Sequence, residues 1–158
     1  MTWNIFVSKT KIFASKMNEN MDEILDRFQD GWNVAQTTHG TTDTWTYASA
    51  TTITVPSGAT SIYTVGDKIK LTQTTDKYFY VVAVADTLLT VTGGSDYTVE
   101  NSAITNPYFS KASTPKGFPQ WFNTSAPTFD TTTIDNGAGG QPITTTSRFT
   151  INGRTATV

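Results

Sequence analysis

The sequence predicts a mainly β protein with an N-terminal helix, a small antiparallel β-barrel or sandwich, and a C-terminal β-segment that is incomplete alone. Three observations carry that expectation. Threonine makes up about a fifth of the 158 residues, and its β-branched side chain suits a pleated, half-wet surface. Short apolar runs recur at intervals of roughly 8–12 residues, separated by Gly, Pro and Asp turn signals, as in a small sandwich or barrel. Helical periodicity occurs in one stretch only.

Residues 1–35 read as an N-terminal anchor. In "ASKMNENMDEILDRFQDGW" Ser15 is placed to cap the first turn and Gly31 to end the last one. Met17, Met21, Ile24 and Phe28 recur in steps of three and four, with charged residues on other faces. Two heptads are too few to hold a coiled coil unaided. The seam either packs on the chain's own domain or joins it to another chain.

Residues 36–43 form a polar linker. From 44 to 112 the signals are all strand. "TWTYASATTITV" alternates Trp45, Tyr47, Ile53 and Val55, and "VGDKIKLTQ" places Ile69 and Leu71 on one face. "KYFYVVAVA" is more continuously apolar, as expected of a central strand covered on both sides. "LLTVT" and "DYTV" follow, Gly93-Gly94 turning the chain between them; "ENSAI" reads as one helical turn and "NPYFSKA" as a last short strand. The expected core is Ile53, Val55, Ile69, Leu71, Phe79, Val81, Leu89 and Val91.

Residues 113–127 are a stiff connector, with three prolines around the anchors Trp121 and Phe122. Residues 128–158 end in "RFTINGRTATV". There Asn152-Gly153 reads as the turn of a hairpin between two alternating runs. A segment of about 30 residues is too short to hold its own core. It must therefore be disordered, docked on the barrel, or paired with other chains through Phe149, Ile151 and Val158; otherwise the chain is the first part of a longer protein.

Composition narrows the chemistry. Hydrophobic residues are 37% and charged residues 15%, and four Trp, six Tyr and nine Phe supply buriable surface. A net charge of −2 offers no basic stripe for nucleic acid. Cysteine is absent, which excludes disulfides and thiolate metal sites. No apolar run approaches the roughly 20 residues of a membrane-spanning helix, and "MTWNIFVSKTKIF" lacks the pattern of a secretory signal. The single histidine, His39, sits in the linker without neighbouring carboxylates, so neither a metal site nor a Ser-His or Cys-His system is expected. Asp67, Asp76, Asp86 and Asp96 each stand beside a turn, where local hydrogen bonding explains them. No catalytic, cofactor-binding or metal residues are expected. Among the aromatics, Trp45, Tyr47, Tyr78, Tyr80, Trp121 and Phe122 are candidates for stacking on sugars, against a plainer role in packing.

Two stretches carry a resemblance. "FASKMNENMDEILDR" resembles the opening of many minor virion proteins of tailed bacteriophages. Much of the segment from Trp45 to Phe122 is similar to a module of phage tail-fibre, tail-tip and head-fibre proteins. The matching residues are Val65-Gly66-Asp67-Lys68-Ile69, Lys77-Tyr78-Phe79-Tyr80-Val81, Thr92 to Thr98 and Gly117-Phe118-Pro119. "SRFTINGRTATV" looks like the first strands of a jelly-roll-type domain, which in such proteins continues well beyond the point reached at Val158. The resemblance implies a non-enzymatic structural component located in the virion. It implies partnership with copies of itself, a trimer first and a dimer second, and with other virion proteins. Met17, Met21, Ile24, Phe28, Trp121, Phe122, Phe149, Ile151 and Val158 are the assembly candidates. A module binding a host receptor or surface glycan is the alternative, and a tail-associated glycan hydrolase a third reading.

Overall fold

The structure, a computed structural model, describes residues 30–37, 40–125, 147–152 and 155–157, and before them 18, 21, 22 and 24. The helix expected over 16–29 lies otherwise outside the described residues, as do Met17, Phe28, His39 and Val158.

Seven strands form one antiparallel sheet: β1 (Asn33–Val34), β2 (Thr46–Ser49), β3 (Thr52–Thr54), β4 (Lys68–Thr72), β5 (Asp76–Ala85), β6 (Leu88–Thr92) and β7 (Thr105–Ser110). Their order is β1-β7-β4-β5-β6-β3-β2, so "KYFYVVAVA" supplies the central strand. A short helix, α1 (Ala59–Ile62), follows β3. All eight expected core residues are buried, and Trp45, Ala59, Tyr63 and Val99 join them in one cluster. Fully burying each aliphatic or Phe side chain is worth about 1.5–3 kcal/mol.

The sheet does not close into a barrel. Its edges, β1 and β2, curl toward one another, since Ala35 beyond β1 and Trp45 before β2 share the core. The Asp43 N–H donates to the Ala35 carbonyl at 2.7 Å, but no ladder forms between the edges. Two reasons are visible. A two-residue β1 offers too little backbone for a second ladder, and polar groups occupy the gap. Asp43 Oδ1 accepts from the Thr37 N–H and hydroxyl at 2.8 Å each. Its Oδ2, the Trp45 indole nitrogen and the Tyr63 hydroxyl are buried without a hydrogen-bond partner among the described residues. Burial, and then the Asp43 carboxylate, push the Tyr63 phenol well above its ordinary pKa.

Local readings shift in four other places. "TWTYASATTITV" is a hairpin rather than one strand, because β2 pairs with β3 and the chain turns at Ala50-Thr51. "ENSAI" is not helical and "DYTV" contributes only the isolated bridge Gly93↔Tyr97. The real single helical turn is α1, where the Asp86 carboxylate fixes the entry by accepting from the Ser57 hydroxyl at 2.6 Å and the Gly58 N–H at 2.9 Å. Finally β1 lies inside the span read as the N-terminal anchor, so the sheet starts before residue 44.

A second, three-stranded sheet has the order β10-β9-β8, with β8 at Phe122–Asn123, β9 at Arg148–Asn152 and β10 at Thr155–Thr157. The connector read as strand-free therefore contains a strand. The terminal hairpin is present, one residue out of the expected register. Asn152 pairs with Thr155, so Asn152 belongs to β9 and not to the turn.

Candidate functional site

Alternation along β5 sends Phe79 and Val81 into the core and Tyr78 and Tyr80 to the opposite face. Aromatic rings collect on that outer face. Trp32 lies 6.3 Å from Tyr78 and 6.1 Å from Phe118; Tyr80 lies 5.0 Å from Phe118 and 5.3 Å from Phe122. Phe122 is fully buried and stacks on Phe149 of β9, centroids 5.7 Å apart and planes 28° apart. Offset stacked and edge-to-face rings of this kind each add about 0.5–1.5 kcal/mol beyond area burial. The outer face of the large sheet is thus the floor on which the connector and the terminal hairpin rest.

Polar contacts fix the arrangement. The Trp32 indole donates to the Lys116 carbonyl at 2.8 Å, tying the connector to the residues before β1. Tyr80 Oη and Thr150 Oγ1 are hydrogen-bonded at 3.1 Å, joining β5 to β9. The turn after β6 holds β8: Asn123 accepts from the Ser95 N–H at 2.8 Å and gives its own N–H to Asp96. A Cβ on Gly94 would collide with the Asn123 carbonyl and reach to 3.0 Å of the Phe149 ring, so only glycine allows this approach. Burial, then Tyr78 and Asp96, raise the Tyr97 phenol above its usual pKa.

Lys68 lies beneath these rings. It is 6% exposed, with Nζ 5.6 Å from the Tyr80 centroid and 5.8 Å from that of Phe118. Burial lowers its pKa, with the Asp67 carboxylate opposing.

Between the connector and β9 runs a half-open groove of about 520 Å³. Tyr80, Phe118, Trp121 and Ile151 supply its apolar surface, and Ser113, Thr114, Gln120 and Thr150 its polar groups, with Pro115 and Pro119 completing it. Among the described residues no charged side chain lines it. Trp121 is 47% exposed and pairs with no other ring among the described residues.

The structure therefore sorts the candidates. Trp121, Phe122, Phe149 and Ile151 come together here; Phe122 is core to the seam and Trp121 its exposed neighbour. Met21 and Ile24 are exposed and nothing described covers them. Trp45 and Tyr80 are buried, so neither offers a free face. Sequence reading missed Tyr80–Thr150 and Asp96–Asn123, although the alternation in "KYFYV" already assigns Tyr78 and Tyr80 to one side.

The turn carboxylates are occupied as expected. Asp67 takes the Thr64 N–H and hydroxyl, Asp76 the Thr72 hydroxyl, and Asp86 the residues before α1. No group of three or more His, Asp and Glu among the described residues could hold a metal ion. No helix among the described residues is long and apolar enough to cross a membrane.

Comparison with protein-family models, curated proteins and solved structures finds no match to this chain.

Proposed function

We propose that this chain is a non-enzymatic structural component of a tailed-bacteriophage virion. It acts through contacts with copies of itself, a trimer first and a dimer second, and with other virion proteins. The sequence resemblance motivates the reading, and one observation carries it: among the described residues β10 has β9 on one side and no strand on the other. An open strand edge is a ready template for another chain. Carboxylates engaged in turns, and a groove to which no described Asp or Glu contributes, fit an architectural role better than hydrolysis.

Mass spectrometry of purified particles tests this. The chain should be found in stoichiometric amount with the other particle proteins, and its absence would overturn the reading.

The exposed Trp121 beside an uncharged groove favours a second reading, in which the protein contributes to host-surface recognition.

A further inference from the structure

We infer that the groove between the connector and β9 binds a neutral saccharide, a step that rests on the second reading above. Four observations converge. The volume of about 520 Å³ suits a ligand of one or two sugar rings, within the roughly 300–1,000 Å³ of small-molecule clefts. Among the described residues the lining holds no ionisable carboxylate or ammonium, the Lys68 ammonium lying against the Tyr80 and Phe118 rings without lining the groove. A charged ligand would therefore leave water for a site with no counter-charge in its lining.

One large aromatic face, that of Trp121, is exposed at the groove, while Tyr80 is 2% exposed and Phe118 half-buried. A single stacking platform matches the apolar C–H face of a pyranose. A proline-rich peptide needs a run of aromatic ridges, and Tyr80 and Phe118 do not supply one. The polar groups are neutral hydrogen-bonding ones: Gln120, Ser113, Thr114 and Thr150. They can donate and accept by turns, as sugar hydroxyls require.

The site is also held firm where it must be. Thr150 is fixed by Tyr80, and the connector by the Trp32–Lys116 bond. Trp121 lies two residues after Pro119 and immediately before the fully buried Phe122, which limits its freedom without covering its ring. A pre-organised platform binds with less ordering cost than a mobile one.

The purified full chain is tested on an array of neutral and anionic cell-surface oligosaccharides, together with a proline-rich decapeptide. The best neutral oligosaccharide is then titrated against the parent, Trp121→Ala and Gln120→Ala. Binding confined to neutral oligosaccharides is expected, weakened at least tenfold by Trp121→Ala and several-fold by Gln120→Ala, with the fold retained because Trp121 stands half-exposed outside the core. No neutral binding at millimolar concentration, binding of anionic glycans or the peptide only, or a Trp121→Ala protein that binds like the parent would each overturn it. Neutral-saccharide binding by a chain absent from particles would sink the virion reading and leave this one standing.

Discussion

Asp96 holds Asn123 with both carboxylate oxygens: Oδ2 accepts the backbone N–H and Oδ1 the side-chain amide, each at 2.7 Å. These charge-assisted bonds join the β6 turn to β8, and through β8 the whole terminal sheet. The pair also gives "TGGSDYT" a physical meaning, since Gly94 clears the space beside Asn123 that Asp96 then closes, while Gly93 admits Tyr97 and the Tyr78 carbonyl.

Removing that clamp should loosen the terminal sheet alone. Asp96→Ala is expected to cost about 1–2 kcal/mol of docking, for two bonds at an exposed site. Amide hydrogen exchange checks it: protection should fall at Phe149 to Ile151 and persist at Val81 and Val91. Equal loss in both sheets would contradict a separable docked unit.

Gly94 offers a sharper comparison. Its φ is +62°, and an added Cβ meets Asn123 and Phe149; Gly58 has φ +97° with nothing within 4 Å. Gly58→Ala should therefore cost only left-handed strain, about 1–2 kcal/mol. Gly94→Ala adds a collision and should cost about 2–4 kcal/mol. Chemical denaturation of the two variants should rank them in that order; the reverse ranking would place the terminal sheet elsewhere.

These relationships show what was legible beforehand. Period-two alternation identified Ile53, Val55, Ile69, Leu71, Phe79, Val81, Leu89 and Val91, because burial of one sheet face leaves that mark directly; Ala59 and Tyr63, in and just after α1, carry no such mark and were missed. Barrel closure was not legible, since it depends on whether two distant edges can pair, and a two-residue β1 cannot. Of the site, the Pro-flanked Trp121 and Phe122 and the alternating Phe149 and Ile151 stood out as anchors. Their union with Tyr80 joins residues about 40 to 70 apart in sequence, which no local pattern encodes. The hairpin register differs by one residue: Asn152-Gly153 is a strong turn signal, yet Asn152 pairs with Thr155 and so belongs to the strand.

Lys68 supplies a pH test. Its ammonium has a pKa lowered by burial, so between that value and the ordinary 10.5 the unfolded chain binds more protons than the folded one. Its contribution to stability therefore rises with pH across that window. Lys68→Met keeps the length and removes the buried charge, and should match or exceed the parent at pH 7, within about 1–2 kcal/mol. Urea melts from pH 7 to 10 should show the parent gaining on the variant as pH rises. A constant difference would mean that the ammonium is solvated in the fold.

Assembly rests most directly on whether the open edge of β10 joins chains. Asn152↔Thr155 closes a two-residue hairpin, so ladder alternation points the Ala156 N–H and carbonyl away from β9, toward that edge. Ala156→Pro thus blocks the edge and leaves the hairpin bonds intact. Light scattering on the full chain should give the mass of a trimer, or failing that a dimer, and Ala156→Pro should run as a monomer with its melting otherwise preserved. A parent that is monomeric at every concentration, or an oligomer indifferent to Ala156→Pro, would contradict it.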